Sequence, residues 1–332
     1  MPARSAHPDA TGTLCGAAVY VSAAAGAVLA GGPAGAPTPV PGIPDVVAVL
    51  YTHGRPETPT AGGAFSVGAW VESWSRTQHA AAVAGVREAI ARGDVYQVNL
   101  VGHASAPYTG DPAAALARVA ALPGARYGGV LAGDGWAIAC ASPETLVQVR
   151  DGRVITRPIK GTRPATEAGR RELLDSAKER AEHVMIVDLE RNDLARLPGV
   201  GPVRVDELFA VRRWCGLWQA ESVVSAPLTG GLALPELLRA VCPGGSVTGA
   251  PKLAALGQIA GWEPVGRGVS MGALGWVGPD HVDLGLSIRT VAVDGARVHA
   301  WAGGGITWGS DPVAEVDEAA AKAAPIRAAL AG

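Results

Sequence analysis

The stretch VSMGALGWVGPDHVDLGLSIRTVAVDGARVHAWAGGGITW, residues 269–308, carries no helical period. Its apolar residues come in short runs rich in Val, Leu and Ile, broken at Gly278-Pro279-Asp280 and at Asp294-Gly295. Runs of that length between turn signals read as strands. They predict two strand pairs, 269–277 with 282–293 and 296–301 with 304–308. Strands that follow one another without an intervening helix lack the βαβ rhythm of a parallel sheet.

Working outward, residues 312–330 read as a closing helix, and 234–241 as another that stops at Pro243-Gly244-Gly245. A strand is expected near 221–228, and one uninterrupted helix over 167–190. VYQVNLVGHAS (95–105), WAIACASPETLVQVR (136–150) and GRVITRPI (152–159) read as strands, and 77–91 as a helix stopped by Gly93. GGPAGAPTPVPGIPD, 31–45, holds five prolines and four glycines and is a loop or linker. Before it, LCGAAVYVSAAAGAVLAG (14–31) reads as two short buried strands joined at Ala24–Gly26. That stretch is too rich in Ala and Gly for a membrane span, and Asp9, Thr11 and Thr13 interrupt a signal-peptide pattern. The class is α+β, with antiparallel sheets covered by helices.

The 332 residues suffice for one large domain or two ordinary ones. Thirty acidic against 28 basic side chains leave no footprint for nucleic acid. Cys15, Cys140, Cys215 and Cys242 are widely spaced, as reduced thiols of a cytoplasmic protein would be, with no disulfide framework or zinc knuckle. GGSVTGAPK (244–252) fails as a phosphate loop because Pro251 separates the glycine from the lysine, and AGGGITWGSD (302–311) misses the dinucleotide-binding spacing.

Only Lys160, Lys178, Lys252 and Lys322 among the 28 basic residues are lysines. In RPIKGTRP (157–164), Lys160 is either a carboxylate-pairing cation or a nucleophile, since a desolvated lysine, unlike arginine, can become a neutral amine. Glu179 and Glu182 stand three apart on one helix, Glu315 and Glu318 on another, with Lys322 one turn beyond Glu318. They form either solvated faces with the pairs Lys178–Glu182 and Glu318–Lys322, or an oxygen-only site for Mg²⁺. Glu144, in SPET after buried residues, suits a general acid or a plain turn carboxylate. Arg289 lies within an apolar strand and needs a partner, a substrate carboxylate being one option. Gly303–Gly305 either bring backbone N–H groups to a second carboxylate or make a tight turn.

Together and in this order, GDVYQVNL (93–100), SPETLVQV (142–149), RPIKGTRP, DSAKERAEHVMIVDLERNDLARL (175–197), GGSVTGAPK, LGLSIRTVAV (284–293) and GGGITWGSDPVAEVDEAAAK (303–322) resemble the chorismate-binding enzymes. The resemblance runs from about residue 77 to 327. It implies a layered α/β/β/α sandwich of large antiparallel sheets, with a shortened N-terminal segment (1–75) packed on a catalytic domain (76–332). It also implies Mg²⁺ carboxylates at Glu182 and Glu318, with Glu179 and Glu315 beside them, and a general acid or base at Glu144. Gly161, Thr162, Arg289, Gly303, Gly304, Gly305 and Lys322 match substrate-holding positions, and Lys252 and Trp276 join them as candidate contacts.

Two positions divide the family's branches. Gln97 stands where the branches that add water to chorismate carry a lysine, which implies ammonia as the nucleophile. Lys160 stands where anthranilate-forming members have alanine and the aminodeoxychorismate synthase component I branch has lysine. The resemblance therefore implies amination of chorismate at C4 on the way to p-aminobenzoate and folate, or to a related secondary product. Amination at C2, or chorismate binding without turnover, is the alternative. Gln219 replaces a family histidine tied to proton handling, and Trp276 a common tyrosine. No glutaminase block is found, so a separate glutamine amidotransferase subunit is the expected ammonia source.

Overall fold

The computed structural model describes residues 12–54 and 63–332; Asp9 and Thr11 lie outside them. The chain opens with β1 (Leu14–Val21), α1 (Ala23–Leu29) and β2 (Val46–Thr52), then two short strands, β3 (Phe65–Val67) and β4 (Val71–Glu72). Next come α2 (Arg76–Arg92), β5 (Gln97–Gly110), α3 (Ala113–Ala120), β6 (Tyr127–Gly133) and β7 (Trp136–Ser142). The middle holds β8 (Thr145–Arg150), β9 (Arg153–Arg157), β10 (Ile159–Pro164), α4 (Glu167–Asp175) and α5 (Ala177–Ala195). Then follow β11 (Arg204–Trp214), β12 (Leu217–Pro227), α6 (Leu234–Val241), β13 (Gly249–Ala250) and α7 (Lys252–Trp262). The last elements are β14 (Ala273–Val277), β15 (Val282–Leu286), β16 (Thr290–Val293), β17 (Arg297–Ile306) and α8 (Pro312–Ala331).

The strands form two antiparallel sheets. Nine strands run in the order β10-β12-β9-β8-β15-β14-β1-β2 with β11 beside β12; eight run β13-β5-β17-β16-β7-β6 with β3 and β4 on β5. One core joins their facing sides, drawing Val19 and Tyr20 of β1, Val147 of β8 and Leu284 of β15 from one sheet, and Val101 of β5, Ile138 of β7 and Trp301 of β17 from the other. Helices α2, α3, α7 and α8 cover the eight-stranded sheet, and α4 and α5 the nine-stranded one. This is the expected α+β sandwich of four layers.

Several local expectations are corrected. The run 282–293 is two strands: β15 pairs with β8 and β14, whereas β16 pairs with β7 and β17. The chain changes sheets across Ser287–Arg289, where Arg289 takes a left-handed φ of 53°. Residues 297–306 form one continuous strand, in which Gly303–Gly305 pair with Val101–Asn99 and make no turn. The second expected strand of 14–31 is the helix α1, because alanine favours helix and the Ser22 hydroxyl caps it by accepting from Ala25 N at 3.0 Å. The 167–190 helix is broken at Ser176, which ends α4 and caps α5. Strand β11 was not expected; it pairs only with β12, and its charged, mostly exposed residues hide a strand period.

Among the described residues no helix is long and apolar enough to cross a membrane. Leu284, fully buried where the sheets face one another, tests the shared core. Leu284→Ala is expected to lower stability by about 3 kcal/mol in urea unfolding, with an unchanged far-UV spectrum. A loss below about 1 kcal/mol would show that the sheets do not pack there.

Candidate active site

Strand β10 carries Lys160 into a cavity between the two halves of the sandwich. A bulge follows at Gly161, whose φ is +74° and whose Cβ, if present, would lie 2.7 Å from Leu173 Cδ1 and 3.0 Å from Glu179 Oε2. The Lys160 ammonium donates to the Ser246 carbonyl at 3.0 Å. Gly305 of β17 leaves the opposite side open: a Cβ there would meet Lys160 Nζ at 2.7 Å. The Ser246 hydroxyl also donates to Glu144 Oε1, so one residue touches both groups.

Burial lowers the Lys160 pKa, opposed chiefly by the Glu182 carboxylate and assisted by the Lys322 charge. Burial likewise pushes Glu144 up to about 7, against the Ser246 hydrogen bond and the Lys160 charge. A lysine shifted toward its neutral amine and a carboxyl that still holds its proton near neutrality make a nucleophile and acid pair.

The four paired glutamates line the same cavity. Glu182 accepts from the Thr307 hydroxyl at 2.9 Å. Burial raises the pKa of both Glu182 and Glu315, while the Lys322 ammonium, 2.7 Å from Glu318, lowers that of Glu318. Arg163 donates to Glu179 at 3.0 Å. Lys178 lies 3.7 Å from Glu182 Oε1 and 3.8 Å from Glu315 Oε1. Among the described residues no three ligand groups gather closely enough to cage a metal by themselves. The donor set still fits a hard cation, which takes one or two protein carboxylates and completes its shell with water and an anionic ligand.

Arg289 closes another side. Its guanidinium is held 4.6 Å over Trp214 and donates from Nη1 to the Lys322 carbonyl at 2.9 Å, but its buried Nε has no partner. Burial lowers its pKa to about 10. A buried arginine without an ion pair is a ready seat for a carboxylate. Lys322 adds a second cation, held by the Gly303 carbonyl at 3.1 Å.

Of the residues singled out from sequence, Lys160, Gly161, Thr162, Glu144, Glu179, Glu182, Gln219, Arg289, Gly303, Gly305, Glu315, Glu318 and Lys322 all line this one cavity. Gly304 faces α8, where a Cβ would lie 3.0 Å from Glu315 Oε2. Gln97 lies fully buried beside Gly305 with both amide atoms unpartnered, and Gln219 Oε1 is also unpartnered. Two candidates fall elsewhere. Lys252 is spent on Asp193 at 2.6 Å, and Trp276 of β14 packs on Tyr51, with ring centroids 5.5 Å apart. Sequence reading missed Ser246 and Asn99; each is a buried polar residue in an apolar or glycine-rich segment, which was the available signal.

Comparison with known proteins supplies the context. The model of the family described as chorismate binding enzyme matches residues 39–328. An anthranilate synthase component 1 of Streptomyces coelicolor is 40% identical over 80% of this chain and 53% of its own length. An aminodeoxychorismate synthase component 1 of Bacillus subtilis is 34% identical over 86% of this chain and 61% of its own. The chain thus spans between half and two thirds of these relatives. The crystal structure of anthranilate synthase component I from Streptococcus pneumoniae superposes with a TM-score of 0.83 at 26% identity, covering 97% of this chain and 82% of that one.

The buried Glu144 carboxyl predicts a pH signature. Its folded pKa exceeds the unfolded value of 4.5, so ionisation opposes folding and stability drains as pH rises from 4.5 through about 7. Glu144→Gln removes that loss. Its stability relative to the parent should climb across this window by up to about 3 kcal/mol and level off above it, measured by urea unfolding at stepped pH. A pH-independent difference would contradict the assignment.

Proposed function

The chain belongs to the chorismate-binding enzymes, and on that footing we propose that it aminates chorismate at C4, as an aminodeoxychorismate synthase component I. The observation that carries this reading is Lys160: a buried amine with a lowered pKa, facing open space and sharing Ser246 with a carboxyl titrating near 7. Arg289 and Lys322 receive the two carboxylates of chorismate. The neutral Lys160 amine adds at C2, both conjugated ring double bonds shift along the ring, and the C4–O bond breaks. Glu144 gives its proton to the departing hydroxyl, which leaves as water. Ammonia then bonds at C4, the two double bonds shift back, the C2–N bond breaks to free the neutral Lys160 amine, and the new C4 ammonium returns a proton to Glu144.

Glu182 and Glu318, with Glu179 and Glu315 beside them, would hold Mg²⁺, which supplies charge neutralisation for a substrate carboxylate. Gln97, an uncharged amide where a base would activate water, supports ammonia as the nucleophile. The ammonia comes from a separate glutamine amidotransferase subunit, as the component names of the relatives suggest. Amination at C2 is the second reading, favoured by the anthranilate synthase relatives.

Mass spectrometry of the product from chorismate, Mg²⁺ and excess ammonium decides between them. The expected product is a 4-amino compound that retains the pyruvyl ether, and Lys160→Ala is expected to lower its formation at least 1,000-fold. Anthranilate or a C2 amine, formed equally well by Lys160→Ala, would overturn C4 amination.

A further inference from the structure

Lys178 stands in the first turn of helix α5 and, among the described residues, is the one lining cation of the cavity that no substrate or catalytic role absorbs. Its ammonium lies nearly equidistant from Glu182 of its own helix, at 3.7 Å, and Glu315 of α8, at 3.8 Å. These two helices cover different sheets, so the lysine ties the halves of the sandwich together at the cavity mouth. Both carboxylates are about nine-tenths buried, with side-chain exposures of 12% and 8%, whereas the lysine side chain is 44% exposed. Its stem runs beside Gly309, where a Cβ would sit 3.8 Å from Cδ and Cε, and among the described residues only these two carboxylates hold its ammonium.

We propose that Lys178 is a built-in substitute cation, which bridges Glu182 and Glu315 in the metal-free protein and swings into solvent when a divalent metal ion binds Glu182 and the glutamates beside it. The inference rests on the Mg²⁺ reading above and adds a competitor to it. Two buried carboxylates facing one another without a counterion repel and pay desolvation unopposed. A lysine meets that need without geometric demands, since an ammonium on a flexible stem is a point charge. The same flexibility lets it leave: the exposed stem returns the ammonium to water at little cost. Arginine, with its planar fork, would lock both carboxylates and exclude the metal. The other nearby cations stand differently: Lys160 lends Glu182 its charge from beyond ion-pair distance while bonded to the Ser246 carbonyl, Lys322 pairs with Glu318, and Arg163 with Glu179. Lys178 thereby preserves the site while it is empty, and sets the metal concentration at which it fills.

The test uses the whole chain without substrate. Acetylation of lysines by a brief pulse of an amine-reactive ester is followed peptide by peptide by mass spectrometry, with and without Mg²⁺ and with Lys252 as internal reference. Labelling of Lys178 is expected to rise at least threefold with Mg²⁺ while that of Lys252 stays level. In parallel, calorimetric titration of Lys178→Met is expected to give a Mg²⁺ Kd at least fivefold tighter than the parent. Thermal unfolding of the metal-free variant should fall below that of the parent, with the gap closing at saturating Mg²⁺. If Mg²⁺ binds the parent and Lys178 labelling is unchanged or falls, the lysine is not displaced and the proposal fails while the metal reading stands. If neither protein binds Mg²⁺, both fail.

Discussion

The site depends on a lysine amine being seated where two strands of different sheets come within contact of each other. Lys160 rises from β10 of one sheet and ends against β17 of the other, at a point where even a methyl group on residue 305 would collide with it. Glycine at 305 therefore leaves the amine its present seat, and a larger residue would push the lysine tip aside. Gly161 supplies the matching requirement on the lysine's own strand: a left-handed φ makes the bulge, and the missing Cβ leaves room for Glu179. Sheet-to-sheet distance, bulge and glycine act as one constraint.

Burial at that junction then shapes the electrostatics. The same desolvation shifts the amine of Lys160 down and the carboxyl of Glu144 up, so both ionise less readily than in water. Ser246 sits between them, its carbonyl on the lysine and its hydroxyl on the acid. Behind it, Glu190 accepts from the Gly245 N–H and the Thr156 hydroxyl, and burial together with the Asp193 charge raises its pKa. The lysine of GGSVTGAPK thus belongs to the support of the loop, through Asp193, and the serine of that loop touches both Lys160 and Glu144.

Much of this was legible from residue order. The turn signals at 278–280 and 294–295 and the helical stops at Gly93 and 243–245 mark elements that the fold contains. The paired glutamates, Lys160 and Arg289 stand out because charged residues among apolar ones need partners. Illegible were the features set by neighbours far away in sequence. Strand β11 shows no alternation because it is a solvated edge, and Ser176 breaks a helix whose period continues through it. Trp276 and Lys252 share motif context with true cavity residues, but the pleat and the helix turn them elsewhere.

The sequence by itself determined the strand-rich α+β class, the antiparallel pairing and the kinds of groups at the site. Local propensity, turn chemistry and the cost of burying a lone charge all act over a few residues and can be read along the chain. Only the tertiary structure decided that residues 160, 246 and 305 meet, that Arg289 is the point where the chain changes sheets, and that Lys178 stands between Glu182 and Glu315. Those outcomes follow from how two twisted sheets stack and which faces their helices cover, and that packing involves the whole chain at once.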